Sequence, residues 1–143
     1  MKLEAMREEH REEVLAMMRV FYASPAVSTN GSEDIFRADV DACLSVDPYL
    51  EGYVLTENGR LLGYTMLARS FSTEFGKHCV WIEDLYLKPE YREKGRGSAA
   101  LEAIRKLHPE ALLRLEVERE NSRAVHVYRK SGFGELLYLE MLR

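Results

Sequence analysis

Trp81-Ile82-Glu83-Asp84-Leu85-Tyr86-Leu87-Lys88-Pro89-Glu90-Tyr91-Arg92-Glu93-Lys94-Gly95-Arg96-Gly97-Ser98 is the stretch that decides the fold. It begins as a strand, because Trp81, Ile82, Leu85, Tyr86 and Leu87 are strand-formers. Two carboxylates, Glu83 and Asp84, stand inside it, and Pro89 ends it. A charged turn leads to Gly95 and Gly97, and a helix opens near Ser98. The first amides of a helix have no internal partner, and the helix dipole favours an anion there. Glycine lets a backbone come close to a ligand, so Gly97 is read as the point where a phosphate approaches. Arg92, Lys94 and Arg96 add positive charge. The pattern sets a phosphate-binding turn beside a pair of acids on a strand.

Three phosphate motifs compete for this turn. A P-loop is excluded, since no Gly-Lys-Ser/Thr follows the glycines. Gly95-Arg-Gly97-Ser-Ala-Ala100 fits the dinucleotide fingerprint G-x-G-x-x-A, with Glu116 downstream as an acid. Against it, seven residues separate Leu87 from Gly95, and too few follow Gly95 for the rest of a doubly wound sheet. The third pattern is Arg/Gln-x-x-Gly-x-Gly/Ala, here Arg92-Glu93-Lys94-Gly95-Arg96-Gly97. It resembles the coenzyme A pyrophosphate loop of the GNAT superfamily of N-acetyltransferases. A second signature follows at Asn121-Ser-Arg-Ala124-Val-His-Val-Tyr128-Arg-Lys-Ser-Gly132-Phe133. It resembles that superfamily's Asn, Ala, Tyr and Gly-Phe at fixed offsets. Ile82-Glu-Asp-Leu-Tyr-Leu87 is most similar to the corresponding strand of polyamine (diamine) acetyltransferases. The likeness is carried by the chain from about Val54 onward and is only outlined before it.

The 143 residues fit one domain, 1–143, long enough to bury a core. Hydrophobic residues are 46% and charged residues 31%, a globular balance. A net charge of −4 argues against nucleic acid, which calls for a basic face, and suits a cationic substrate. No apolar run reaches the length of a membrane span and no signal peptide is visible, so a cytoplasmic location is expected. Cys43 and Cys79 have no metal or redox spacing and read as reduced core residues. His10, His78, His108 and His126 show no metal spacing either and read as surface or boundary residues.

Lys2 to Met6 suits a first strand. Met6, His10, Val14, Met17, Met18 and Phe21 keep helical spacing, which predicts a helix over 7–23 ended by Ser24-Pro25. Ser32 caps a second helix, with Ile35, Phe36, Val40, Cys43 and Leu44 inward and Asp47-Pro48 closing it. A hairpin follows: Gly52 to Glu57, an Asn58-Gly59 turn, then Arg60 to Arg69. After a loop at Ser70 to Lys77 comes the key strand, 78–87. A helix over about 96–107 presents Ala100, Leu101, Ile104 and Leu107. Leu112 to Glu118 is a strand, 122–131 a helix, and 135–142 a final strand. The order β-α-α-β-β-β-α-β-α-β is what the resemblance implies. The fold class is α/β (α+β by some schemes), a mixed sheet with helices on both faces.

The resemblance implies acetyl-CoA as cosubstrate and no metal. Leu85, Tyr86 and Leu87 would pair through their backbone with the pantetheine arm. Arg92, Glu93, Lys94, Gly95, Arg96, Gly97 and Ser98 would hold the pyrophosphate. Asn121, Ala124 and Tyr128 would line the cofactor from the last helix, with Asn121 also its N-cap. Tyr128 is the candidate acid for the departing thiolate. Glu83 is the candidate base, and Asp84 the holder of a cationic amine. Adjacent strand residues face opposite sides unless a bulge intervenes, so which of the two acids faces the acceptor stays open. Glu33, Asp34, Asp39, Asp41, Asp47 and Glu51 stand against one base, Arg37, which suits a polyamine, an aminoglycoside or a lysine side chain as well as an ordinary solvated face. The acceptor is expected to be a small primary amine, with no nucleic acid or membrane partner. A homodimer is admitted, since the short region after Phe133 leaves cover of the acceptor either reduced or supplied by another subunit. A protein or peptide acetyltransferase and a non-catalytic acyl-CoA-binding domain are the rival readings.

Overall fold

The computed structural model describes residues 1–47 and 49–143. Pro48, read as part of the stop of the second helix, lies outside the described residues.

The sheet has five strands in the order in which the chain makes them. β1 (Lys2–Ala5), β2 (Leu50–Glu57), β3 (Arg60–Ser72) and β4 (Lys77–Leu87) are antiparallel neighbours, and β5 (Leu112–Leu115) joins β4 in parallel. The β2–β3 turn forms because Asn58 and Gly59 both take positive φ, 51° and 74°, which matches the twist of the strands it joins. Gly63 is required by a close approach. A Cβ there would stand 2.0 Å from the Tyr86 carbonyl oxygen on β4.

Helices cover both faces. α1 (Arg11–Tyr22) and α2 (Glu33–Leu44) pack Val14, Leu15, Met17, Met18, Phe36 and Val40 against Val54, Tyr64, Met66 and Tyr86. Ser32 caps α2 by accepting from the Ile35 amide at 3.3 Å. α3 (Arg96–Leu107) and α4 (Ser122–Lys130) cover the other face, with Leu101 and Ile104 buried against Leu67, Val80 and Ile82. Among the described residues, no helix is long and apolar enough to cross a membrane.

Five expectations are corrected. The loop expected at Ser70 to Lys77 shrinks to 73–76, because β3 runs to Ser72 and β4 starts at Lys77. The helix over 7–23 divides into a 3₁₀ turn at Glu8–His10 and α1, and its inner face includes Leu15, fully buried. Ile35 and Leu107 are exposed rather than inward. β5 ends at Leu115, not Glu118, because its pairing with β4 stops at Ile82↔Leu115. The segment 135–142 forms no strand. Leu137, Leu139, Met141 and Leu142 are exposed, and the backbone after Phe133 makes no backbone hydrogen bond to the rest of the described chain. A strand needs a bonded edge, and alternating apolar residues alone do not supply one.

Candidate functional site

The site gathers where β4 loses its neighbour. From Cys79 to Ile82 the strand is flanked by β3 and β5; beyond Ile82 only β3 remains. One edge of β4 from Glu83 to Leu87 therefore has no strand partner, and an extended ligand can add there as a strand would. Leu85, Tyr86 and Leu87 lie on this open stretch. The Tyr86 ring is buried, 6.0 Å from Tyr64 and 5.6 Å from Phe21, so only its backbone is offered to a ligand.

At the end of β4 the chain turns into α3. Lys94 and Gly95 take left-handed conformations in succession, with φ of 61° and 72°. Gly95 is the N-cap of α3, and its carbonyl accepts from the Ala99 amide at 3.0 Å. The amides of Arg96, Gly97 and Ser98 thus come before the first bonded turn and point outward. Such a helix start can hold an anion. The basic side chains divide their work. Arg92 Nε donates to the Leu87 carbonyl at 2.8 Å, with its guanidinium 5.3 Å from the Tyr86 ring centroid. The Arg96 side chain pairs with Glu57 at 2.8 Å and stacks on Tyr91, so Arg96 offers its amide and not its guanidinium. Glu93, Lys94 and Gly95 are exposed. Gly97 also answers a packing need. A Cβ there would meet Val127 of α4 at 3.3 Å, whereas a Cβ on Gly95 would meet nothing within 4 Å. Gly97 lets α3 and α4 approach each other, and Gly95 makes the turn.

The two carboxylates separate at a bulge. The β3–β4 register passes from Leu67↔Ile82 to Met66↔Asp84, which leaves Glu83 without a partner. Asp84 turns toward α1 and α2 and is buried at 4% exposure. Its Oδ1 accepts from Tyr22 Oη at 2.8 Å and its Oδ2 from Tyr64 Oη at 2.7 Å. No cation pairs with it among the described residues. Burial raises the Asp84 carboxyl, and the two phenols only partly oppose that. Glu83 is exposed at its surface yet flanked by protein. Desolvation, then the charges of Asp84 and Glu140, raise its carboxyl. Asp39 of α2 completes the group: burial, then Asp84 and Glu83, push it up to about 6.

The last helix supplies the remaining candidates. Asn121 caps α4, its Oδ1 accepting from the Ala124 amide at 3.2 Å. Arg123 donates to the Arg92 carbonyl, which ties the start of α4 to the phosphate turn. Tyr128 packs in the cluster that holds Leu85, with its ring 6.0 Å from Phe133. Burial raises its phenol, and its hydroxyl has no hydrogen-bond partner among the described residues. Asp39 was legible only as one of six acids suited to a cationic acceptor, and Tyr22, Tyr64 and Thr65 were not legible as members of this group. Tyrosines are common in this chain, and nothing local in the sequence says that three elements meet at Asp84.

The profile of the acetyltransferase (GNAT) family matches residues 7–133. A thialysine N-epsilon-acetyltransferase of Bos taurus is 34% identical over 83 residues, 56% of this chain and 48% of that protein. The chain thus spans about half the length of that relative. The uncharacterized N-acetyltransferase YhfO of Bacillus subtilis (strain 168) is 30% identical over 120 residues, 82% of this chain and 76% of its own. In fold, the chain superposes on a "possible acetyltransferase" from Clostridium difficile 630 with a TM-score of 0.82, at 19% identity, over 99% of this chain and 95% of the other.

Proposed function

The chain belongs to the GNAT acetyltransferase family, and on that premise we propose that it transfers the acetyl group of acetyl-CoA to a primary amine of a small cationic acceptor, by direct attack in a ternary complex. The observation that carries the acceptor class is the buried Asp84 carboxylate, with Glu83 and Asp39 beside it and no cation paired to it among the described residues. A buried charge without a counter-ion is costly, and an ammonium supplies the missing one. The name of the bovine relative, a thialysine Nε-acetyltransferase, agrees with a small amine acceptor.

The amides of residues 94–98 receive the pyrophosphate, with Arg92, Glu93 and Lys94 around it. The open edge of β4 at Leu85, Tyr86 and Leu87 takes the pantetheine arm, and a free amide there polarises the thioester carbonyl. Asn121 and Ala124 line the arm from α4. An alkyl ammonium has a pKa near about 10.4, so it must be deprotonated to attack at neutral pH. Glu83, raised and exposed, accepts that proton directly or through water. The amine nitrogen bonds to the acetyl carbon, the carbon–sulfur bond breaks, and Tyr128 gives its proton to the leaving sulfur. Cys43 is not an acyl carrier in this scheme: burial pushes its thiol up to about 12, far from the thiolate a nucleophile needs. The exposed apolar side chains of 136–142 support a homodimer, and a cytoplasmic setting fits the reduced cysteines.

The test is a panel of diamines, polyamines, aminoglycosides and lysine peptides, read by release of free CoA. Glu83→Gln is expected to lose turnover with diamines while keeping its affinity for acetyl-CoA. Turnover on lysine peptides with none on small amines would transfer the assignment to a protein acetyltransferase. Binding of acetyl-CoA with no transfer to any amine would leave a regulatory acyl-CoA-binding domain.

A further inference from the structure

β4 alternates strictly except at one place. Val80 and Ile82 pack in the α3–α4 cluster, and Leu85, an odd number of residues later, packs there too. Tyr86 lies with α1 and α2, and Asp84 meets Tyr22 of α1. The extra residue that makes this change of face is Glu83. If the bulge moved by one residue to Asp84, Glu83 and Asp84 would exchange positions; if it were lost, every side chain beyond it would change face. The geometry that turns one acid out and the other in therefore depends on what holds the bulge.

Three donors hold it, all acting on Asp84. Tyr22 Oη reaches Oδ1 from α1 at 2.8 Å, and Tyr64 Oη reaches Oδ2 from β3 at 2.7 Å. Thr65 Oγ1 donates to the Asp84 backbone carbonyl at 2.7 Å. Tyr64 and Thr65 are fully buried, so water does not compete for these bonds and neither residue can reach a substrate. Hydrophobic packing would hold the sheet at lower cost than a buried carboxylate without a cation. What the carboxylate adds is a directional grip on one residue from two elements at once.

We propose that Tyr64, Thr65 and Tyr22 are positioning residues of the transfer reaction: by gripping the side chain and carbonyl of Asp84 they fix the one-residue bulge that presents Glu83 to the acceptor and the open β4 edge at Leu85 to the thioester. The inference rests on the acetyltransferase reading of the same site.

Thr65→Val is nearly isosteric and removes one hydroxyl; Thr65→Ser keeps it. Tyr64→Phe keeps the ring and its packing against Tyr86. With the wild type's best amine, Thr65→Val and Tyr64→Phe are expected to lower kcat by about 10–100-fold, the effect of misplacing reacting groups by a fraction of an ångström to an ångström. The acetyl-CoA Kd from calorimetry should stay within about twofold, and Thr65→Ser should restore kcat. Hydrogen exchange at the amides beyond the bulge that face β3, Lys88 among them, measured without substrate, should quicken in Thr65→Val and return in Thr65→Ser. A kcat within about twofold of wild type in both hydroxyl deletions, or unchanged exchange at those amides, overturns the proposal. If Tyr64→Phe fails to fold, the Thr65 pair decides alone. If the wild type releases no CoA with any amine, the acetyltransferase reading is what fails, and the exchange data still decide whether the three donors hold the bulge.

Discussion

The two walls of the site are built differently. The carboxylate wall, formed by β3, β4, α1 and α2, holds fully buried residues, among them Tyr64, Thr65, Val14 and Met18, and its polar groups are bonded to one another. The wall that carries Tyr128, formed by β5 and α4, has no buried residue, and none follows Ile104 in the chain. One wall is preorganised by its own core. The other borrows order from its contact with α3 and from the cap at Asn121. A transfer reaction needs both: fixed charge where the amine binds, and freedom where CoA must enter and leave.

The largest expected effect breaks the rigid wall. Gly63→Ala puts a Cβ 2.0 Å from the Tyr86 carbonyl oxygen, a backbone atom that cannot move without opening the β3–β4 ladder. It should cost about 3 kcal/mol or more, which lowers the melting temperature by about 10 °C. The contrasting change just past α4, beside the looser wall, is Gly134→Ala, where nothing lies within 4 Å. It should stay within about 0.5 kcal/mol of wild type. Equal losses by thermal melting would erase the contrast between the walls.

Next is Tyr128→Phe. The phenol makes no hydrogen bond within the described chain, so its loss should leave the melting temperature unchanged. As a general acid it is expected to be worth roughly 10²–10⁴ in kcat with unchanged acetyl-CoA affinity. Turnover within a few-fold of wild type would make Tyr128 a packing residue, with the thiolate leaving unaided. A melting temperature that falls with kcat would assign the hydroxyl to the fold.

Gly97→Val sharpens the comparison at the seam between the walls. The new side chain meets Val127 at the α3–α4 contact, where overpacking costs about 1–3 kcal/mol. Because α4 is held by few contacts, much of that cost should appear as displacement of α4 and about a tenfold loss of acetyl-CoA affinity by calorimetry. Full affinity together with a lowered melting temperature would show that α4 is anchored more firmly than its burial implies.

The walls also differed in how far they could be read in advance. Local signals were enough for the strand that stops before Pro89, the Asn58-Gly59 turn, the Ser32 and Asn121 caps and the glycine turn into α3, because each needs only residues close in sequence. The bulge was legible only as an alternative, since Glu83 and Asp84 are chemically alike and their faces depend on pairing with β3, far off in sequence at Met66↔Asp84. Tyr22 and Tyr64 reach Asp84 from elements 62 and 20 residues distant, and no local pattern marks them. The final strand failed for the opposite reason. Its residues have the right propensity, but pairing is a property of the edge they meet, and this chain leaves 134–143 without one.

The smallest expected effect concerns Asp39, at the rim of the rigid wall. Its carboxyl is pushed up to about 6 in the folded chain by burial and then by the charges of Asp84 and Glu83, against about 3.9 when unfolded. The folded chain therefore binds the Asp39 proton more tightly than the unfolded chain does. Below about pH 4 the residue is protonated in both states and its charge costs nothing. As pH rises from about 4 to about 6 the unfolded chain ionises first, and stability is lost across that window. Asn mimics the protonated acid at all pH values. The melting temperature of Asp39→Asn minus that of wild type should thus be near zero at pH 4, grow to a few degrees by pH 6 and stay level above it. Saturating diamine should narrow the gap at pH 7, because an ammonium bound among Asp39, Glu83 and Asp84 relieves in the wild type the repulsion that the variant lacks. A difference flat across pH 4–7 would mean that Asp39 does not feel the two acids on β4. A gap that grows with pH but ignores the amine would keep the electrostatics and remove Asp39 from the acceptor site.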